Sequence, residues 1–288
     1  MAGAGSKEIK TRMTSVESTK QITKAMQLVA SSKLRKAKER AESSRPYFTT
    51  LYNTINEISQ STKGVKNDFL VQREVKNKCY IVVAGDRGLA GGYNSNVLKS
   101  VVNHMAGKQE KIISIGKKAH EFFDKRGYEI VNSIENVEHC NYDNALEISN
   151  NVMDLYKKGE IDEVYIAYTE FVSPLVQNVK LIKVLPLVFE NKNTESQENS
   201  VRRGRVQYLP SAEAVLGYII PKYISGTIYG GVIESFASEQ GARRTAMESA
   251  TDNADEMLSD LELKYNRARQ SAVTQEITEI VGGVEALK

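Results

Sequence analysis

A glycine-rich turn, three histidines and several carboxylate pairs are the groups through which this chain could do chemistry, and spacing tests each of them. The run Gly85-Asp-Arg-Gly-Leu-Ala-Gly-Gly-Tyr-Asn94 follows a β-rich segment and precedes a helical one, where phosphate-binding loops lie. Its glycines miss the Gly-x-Gly-x-x-Gly spacing, and no Gly-Lys-Ser/Thr is present. A sharp strand-to-helix turn is the simpler use of such glycines. Gly116-Lys-Lys118 lacks the hydroxyl that a phosphate loop offers to magnesium, and it reads as a helix start. His104, His120 and His139 show neither metal-ligand spacing nor an adjacent nucleophile. Cys79 and Cys140 form no Cys-x-x-Cys pair, which argues against zinc and disulfide frameworks and fits a reducing compartment. Asp255/Glu256 and Asp260/Glu262 lie opposite an apolar stripe, as a solvated helix face requires. No catalytic constellation emerges, and no cofactor or metal is implied.

Charge narrows the partners. With 39 basic and 36 acidic residues the net charge is +3, low for a dedicated nucleic-acid binder. Lys33-Leu-Arg-Lys-Ala-Lys-Glu-Arg40 is a local basic cluster without interleaved aromatics, suited to a solvated face or an acidic protein surface. Arg202-Arg-Gly-Arg205 reads as part of a loop. No apolar run approaches the ~18 residues of a membrane span, and the first residues carry no secretory signal.

The elements that must hold these groups differ between the ends and the middle. From about Ala4 to Ser61 apolar or small residues recur at Ile9, Met13, Val16, Thr19, Ile22, Met26, Val29, Leu34, Ala37, Ala41, Phe48, Leu51, Ile55 and Ile58. Steps of three or four predict one amphipathic helix of roughly 85 Å at ~1.5 Å per residue. A second stripe runs through Ile228, Val232 and Phe236, then Ala246, Ala250, Ala254, Met257, Leu261, Tyr265, Ala268 and Ala272. Pro221 and Gly226 are expected to kink or interrupt its first turns, so the dependable span starts near Thr227. Neither helix can bury its stripe alone, and winding the two together is the economical solution. Residues 1–40 carry ten basic and three acidic side chains, residues 211–288 seven and twelve, so opposite charges weakly favour an antiparallel pair.

The middle alternates β-rich runs, at Cys79–Ala84, Lys111–Ile115, Tyr128–Ile134, Val164–Tyr168 and Val179–Leu187, with helical runs. The latter fall at Ser95–Met105, Lys117–Arg126 and Asn144–Lys158. This predicts a small, mostly parallel α/β sheet. Ser61–Asn77 and Asn191–Arg205 read as linkers. The expected fold class is therefore a long antiparallel coiled coil of terminal helices, 1–61 and 211–288, with an inserted small Rossmann-like α/β domain at 76–206. At the C-terminus Ile277, Ile280, Val281, Val284 and Leu287 would be exposed on a protruding helix end, which suggests a surrounding partner. Arg269 and Gln270 precede them with outward hydrogen-bonding groups.

Several stretches resemble the gamma subunits of F-type ATP synthases. They are Ile9-Lys-Thr-Arg-Met13, Thr19-Lys-Gln-Ile-Thr-Lys-Ala-Met26 and Val29-Ala-Ser-Ser-Lys-Leu-Arg-Lys36 near the start, and Asp86–Asn94 in the insert. Near the end they are Ser238-Glu-Gln-Gly-Ala-Arg-Arg-Thr-Ala-Met247 and Ala268-Arg-Gln-Ser-Ala-Val-Thr-Gln-Glu-Ile-Thr-Glu-Ile-Val281. The resemblance implies a non-catalytic rotor whose coiled coil passes through a hexamer of alpha and beta subunits. The insert would sit beside the epsilon subunit and the membrane ring of c subunits, with a delta subunit in the same complex. Catalysis would lie on the beta subunits, and the chain would work at the cytoplasmic face of a bacterial cell membrane. Carried over by motif, Arg269, Gln270 and Thr274 would meet a beta-subunit loop, with Met26 on the facing helix near that level. The tip from Ile277 through Ile280, Val281 and Val284 to Leu287 would sit in the hexamer's apolar sleeve. Lys33, Arg35 and Lys36 would face acidic beta-subunit segments, and Tyr208 would belong to a foot on the c ring. A different reading, a helical-hairpin tether with a nucleotide-sensing head, rests on the glycine turn alone.

Overall fold

The computed structural model of the chain describes residues 2–61, 67–107, 109–188 and 208–285. The chain divides into two compact units, a helical one of Met1–Ser32 with Arg243–Lys288 and a sheet unit of Lys33–Ala242. Helix α1 is Ala2–Ser61. The sheet unit then adds β1 (Lys78–Val83), α2 (Tyr93–His104), β2 (Lys111–Ile115), α3 (Lys117–Asp124) and β3 (Glu129–Ile134). A 3₁₀ turn (Val137–His139), α4 (Tyr142–Lys157), β4 (Glu163–Phe171) and β5 (Gln177–Leu185) follow, and α5 (Ala212–Glu285) closes the order.

The sheet order is β3-β2-β1-β4-β5. Pairs β1–β2, β1–β4 and β2–β3 are parallel, whereas β5 runs antiparallel to β4. A short β4–β5 connection at Ser173–Val176 permits only a hairpin, since a parallel return needs a crossover of a dozen or more residues. Strand β1 shows why this sheet lies at the centre. Cys79, Ile81 and Val83 enter one core with α4, α5 and the end of α1. Tyr80, Val82 and Ala84 enter the other with α2 and α3. Both faces are covered, so the strand reads as a continuous apolar run.

Three expectations change. Helix α5 starts at Ala212 and carries Pro221 inside it rather than starting near Thr227. Leu216, Ile220 and Ile224 around the proline are fully buried. Each such burial is worth roughly 1.5–3 kcal/mol, which together exceeds the ~3 kcal/mol cost of an internal proline. Gly226 does not interrupt the helix either. A Cβ there would come within 2.2 Å of the Phe48 ring, so the glycine leaves room for that ring where α1 packs on α5. Lastly, part of the expected linker at Ser61–Asn77 is anchored. Phe69 is buried against Tyr156, and its carbonyl accepts from Leu187 N–H at 2.9 Å. The other expected linker, Asn191–Arg205, lies outside the described residues.

Candidate functional site

In doubly wound sheets ligands bind beyond the carboxyl ends of the strands where strand order reverses, here between β1 and β4. This chain fills that position with helix α5. The Tyr93 and Ser235 hydroxyls meet at 2.7 Å. Thr169 on β4 donates its N–H to Ser235 Oγ at 3.3 Å, and its carbonyl accepts from Ser238 Oγ at 2.9 Å. A Cβ at Gly85 would lie 2.7 Å from the Glu239 carboxylate. The turn is also braced from within. Asn94 Oδ1 accepts from Gly85 N–H at 2.8 Å. The Asp86 carboxylate accepts from the backbone N–H groups of Lys117, Asn136 and Val137 at 3.0, 3.1 and 2.8 Å. The glycine run therefore serves turn geometry and close approach to α5. The Glu239 side chain fills the space beside Gly85, which argues against a nucleotide-sensing head. Ser235 was not singled out by sequence, and Ser238 and Glu239 entered only within the stretch that carries the family resemblance. The small-residue run around them was the available signal.

Two other groups with chemical potential have packed surroundings. His104 Nδ1 lies 2.9 Å from the Tyr80 hydroxyl, inside a stack with Tyr165. Burial pushes the Cys140 thiol up to about 11 and makes it a poor nucleophile. Among the described residues no group of three or more His, Cys, Asp or Glu could hold a metal.

In the helical unit, buried or half-buried positions recur on α1 at Ile9, Met13, Val16, Lys20, Thr23, Gln27 and Ala30. On α5 they recur at Met247, Thr251, Ala254, Leu258, Leu261, Tyr265, Ala268 and Ala272. Both runs alternate steps of four and three, the 3.5-residue period of a left-handed coiled coil. The Thr23 and Thr251 hydroxyls are 2.8 Å apart, and the Lys20 ammonium lies 2.5 Å from Asp255. As the number rises on one helix it falls on the other, so the pair is antiparallel. This seam differs from the expected stripe. Thr19, Ile22 and Val29 turn outward, Ile22 and Val29 at 58% and 55% exposure. Met257 also faces solvent, and Leu258 takes its place. Small and polar side chains let the helices approach, so the seam follows the heptad rather than the largest apolar residue of each turn.

Arg269, Gln270 and Thr274 are all exposed on α5. The Thr274 hydroxyl donates to Gln270 O at 2.9 Å, leaving its lone pairs for an outside donor. Val273, Ile277, Ile280 and Val281 form an apolar stripe at 47–67% exposure. Val284 continues the helix, while its side chain and Leu287 lie outside the described residues. Met26 is half-buried between outward Ile22 and Val29. Its expected level beside Arg269 is corrected by the register. One turn beyond Thr23, it stands opposite about residue 248, roughly 30 Å along the helix from Arg269 at ~1.5 Å per residue.

In the sheet unit the basic cluster divides. Lys33 lies 2.5 Å from Glu138 and holds that carboxyl below the ordinary range. Arg35 reaches Glu39 at 4.0 Å, and Lys36 is exposed beside a cavity. Tyr208 is half-buried against the larger core, with its neighbour Leu209 far more exposed.

Taken together, terminal helices that pair antiparallel in one unit and an α/β sheet covered on both faces in the other define a coiled-coil protein with an α/β insert. Comparison with known proteins agrees. A family described as ATP synthase matches residues 5–287. The ATP synthase gamma chain of Alkaliphilus metalliredigens is 50% identical, the match covering 99% of this chain and all of that one. The gamma chain of Acetobacterium woodii, named as sodium ion specific, is 49% identical over 97% of this chain and 98% of its own. A chain of the Euglena gracilis mitochondrial ATP synthase (OSCP/F1/c-ring, rotational state 3) shares the fold. It has a TM-score of 0.70 at 17% identity, with 99% of this chain and 95% of that one covered. The chain belongs to the ATP synthase gamma chain family.

Proposed function

We propose that this chain is the central rotor shaft of an F-type ATP synthase. It couples ion-driven rotation of a membrane c ring to sequential conformational changes of three catalytic beta subunits. The observation that carries this reading is the end of α5. An apolar stripe there stays exposed, which is costly for a free helix and suits a surrounding sleeve. Arg269, Gln270 and Thr274 offer a charge-assisted fork, an amide and a hydroxyl to a beta-subunit loop. Ile277, Ile280, Val281, Val284 and Leu287 occupy the sleeve. Met26, with Ile22 and Val29, forms a second outward patch that touches the hexamer at a lower level. Arg35 and Lys36 face acidic beta-subunit segments, with Lys33 partly held by Glu138. Tyr208 anchors a foot whose exposed member is Leu209.

The chain acts without an active site of its own, as a peripheral subunit on the cytoplasmic face of a bacterial membrane. Alpha and beta subunits surround its coiled coil, the epsilon subunit and c ring lie beside the sheet unit, and delta belongs to the same complex. Coupling is then mechanical. Shifting a catalytic site from 1:99 to 99:1 between two states takes about 5.5 kcal/mol of differential contact, and linkage makes the coupling reciprocal. The test is truncation after Glu276 in the reconstituted complex, with ATP hydrolysis and ion pumping measured together. Pumping per ATP is expected to fall before hydrolysis does. Equal loss of both would overturn the assignment of the tip.

A further inference from the structure

Between α1, the 3₁₀ turn and α5, wholly within the sheet unit, lies a cavity of about 170 Å³. Val137, Val232, Ile233 and Phe236 give it an apolar floor. Lys33, Lys36 and Arg40 give it a cationic rim. Glu138, the carboxylate of the lining, is already held by Lys33 at 2.5 Å. Among the described residues neither Lys36 nor Arg40 has a carboxylate within ion-pair distance. Four residues apart on one helix face, these two cations repel each other, and an anion between them relieves that repulsion. The planar fork of Arg40 matches a carboxylate in particular. The volume is close to the ~150 Å³ of an apolar cavity that takes one benzene molecule.

We propose that this cavity binds a small amphipathic carboxylate. The ligand is one aromatic ring or short alkyl chain bearing a single negative charge. Its apolar body rests on Phe236 and Val232, and its carboxylate lies between Lys36 and Arg40. The proposal needs only this chain and does not rest on the rotor reading.

The test is calorimetric titration of the full chain with benzoate, and with benzyl alcohol as the uncharged analogue. Benzoate is expected to bind at one site, with benzyl alcohol about tenfold weaker or more, as loss of a charged contact implies. Lys36→Gln and Arg40→Gln, both at exposed positions, should each weaken benzoate about tenfold and leave benzyl alcohol unchanged. Cys140 lines the same cavity, whereas Cys79 is fully buried. Benzoate should therefore slow thiol modification mapped to Cys140 by mass spectrometry. Lack of benzoate binding at high millimolar concentration would overturn the proposal. So would equal affinity for benzyl alcohol, or benzoate affinity unchanged in both Gln variants.

Discussion

Two glycines of α5 illustrate how context decides what one residue does. A Cβ at Gly226 would meet the Phe48 ring at 2.2 Å, while one at Gly217 would meet nothing within 4 Å. Gly226→Ala is expected to destabilise by about 2 kcal/mol or more through overpacking. Gly217→Ala should be neutral or stabilising by up to ~1 kcal/mol, from helix propensity alone. Urea unfolding of both variants measures the contrast, and equal midpoints would contradict the close packing of Phe48. A second residue-scale expectation concerns Glu163 and Lys183, which are hydrogen-bonded across β4 and β5. Burial works to raise the Glu163 carboxyl, but hydrogen bonds from Lys183 and Tyr165 outweigh it and leave it below 4.5. Lys183 is held above 10.5, chiefly by its hydrogen bond to Glu163. The carboxylate's contribution is present above 4.5 and is lost as pH falls through its lower folded value. The ammonium's is present below 10.5 and is lost as pH rises through its higher folded value. The stability gap between the native chain and Lys183→Gln should therefore be widest near neutrality and close in acid. A gap independent of pH would point to lost packing of the lysine stem instead.

At the scale of elements, the seam of the helical unit is unusual in its composition. Lys20, Thr23 and Gln27 stand where a coiled coil ordinarily places Leu or Ile, and Gln27 Oε1 is buried with no partner among the described residues. Thr23 Oγ1 lies within reach of both Lys20 O and Thr251 Oγ1, and Thr251 Oγ1 likewise reaches Met247 O. Each hydroxyl has one proton, so one donates across the seam and the other returns its proton to its own helix. Thr23→Val or Thr251→Val alone should cost about 1 kcal/mol by leaving the other hydroxyl short of a partner. The double Val variant should recover most of that, because no polar group then remains to satisfy. A thermal double-mutant cycle reads the coupling, and strictly additive losses would remove the role given to the pair. Polar pairs of this kind specify register at some cost in stability.

For the molecule as a whole, filling the sheet's switch point with α5 bears directly on what the chain can bind. Titrating the isolated chain with ATP and magnesium should give no saturable micromolar binding, since Glu239 faces the turn where phosphates would have to enter. Specific binding at the glycine turn would revive the tether reading. Legibility also varied across the chain. Helix α1, α5 from about Thr227 onward, all five strands and the order of the insert could be read from periodicity, because burial on two faces or one stripe leaves runs that differ in kind. The exposed tip was legible too, since Ile277, Ile280 and Val281 have no partner in their own sequence neighbourhood. The antiparallel edge strand, the heptad through Lys20 and Gln27, the anchored Phe69 and the true level of Met26 were not.

Sequence alone determined the local choices: where most of the backbone becomes helix or strand, and which ends carry opposite charge. These follow from propensity and pattern, which act over a few residues. Tertiary structure decided which face of each helix is inside. It also decided that Pro221 is tolerated, and that the glycine turn is closed by Ser235 and Glu239. Those outcomes depend on close packing between residues far apart in the chain, 69 positions for Ser238 and Thr169 and 142 for Tyr93 and Ser235. The free energy of such contacts exceeds local preference, and no local pattern records it.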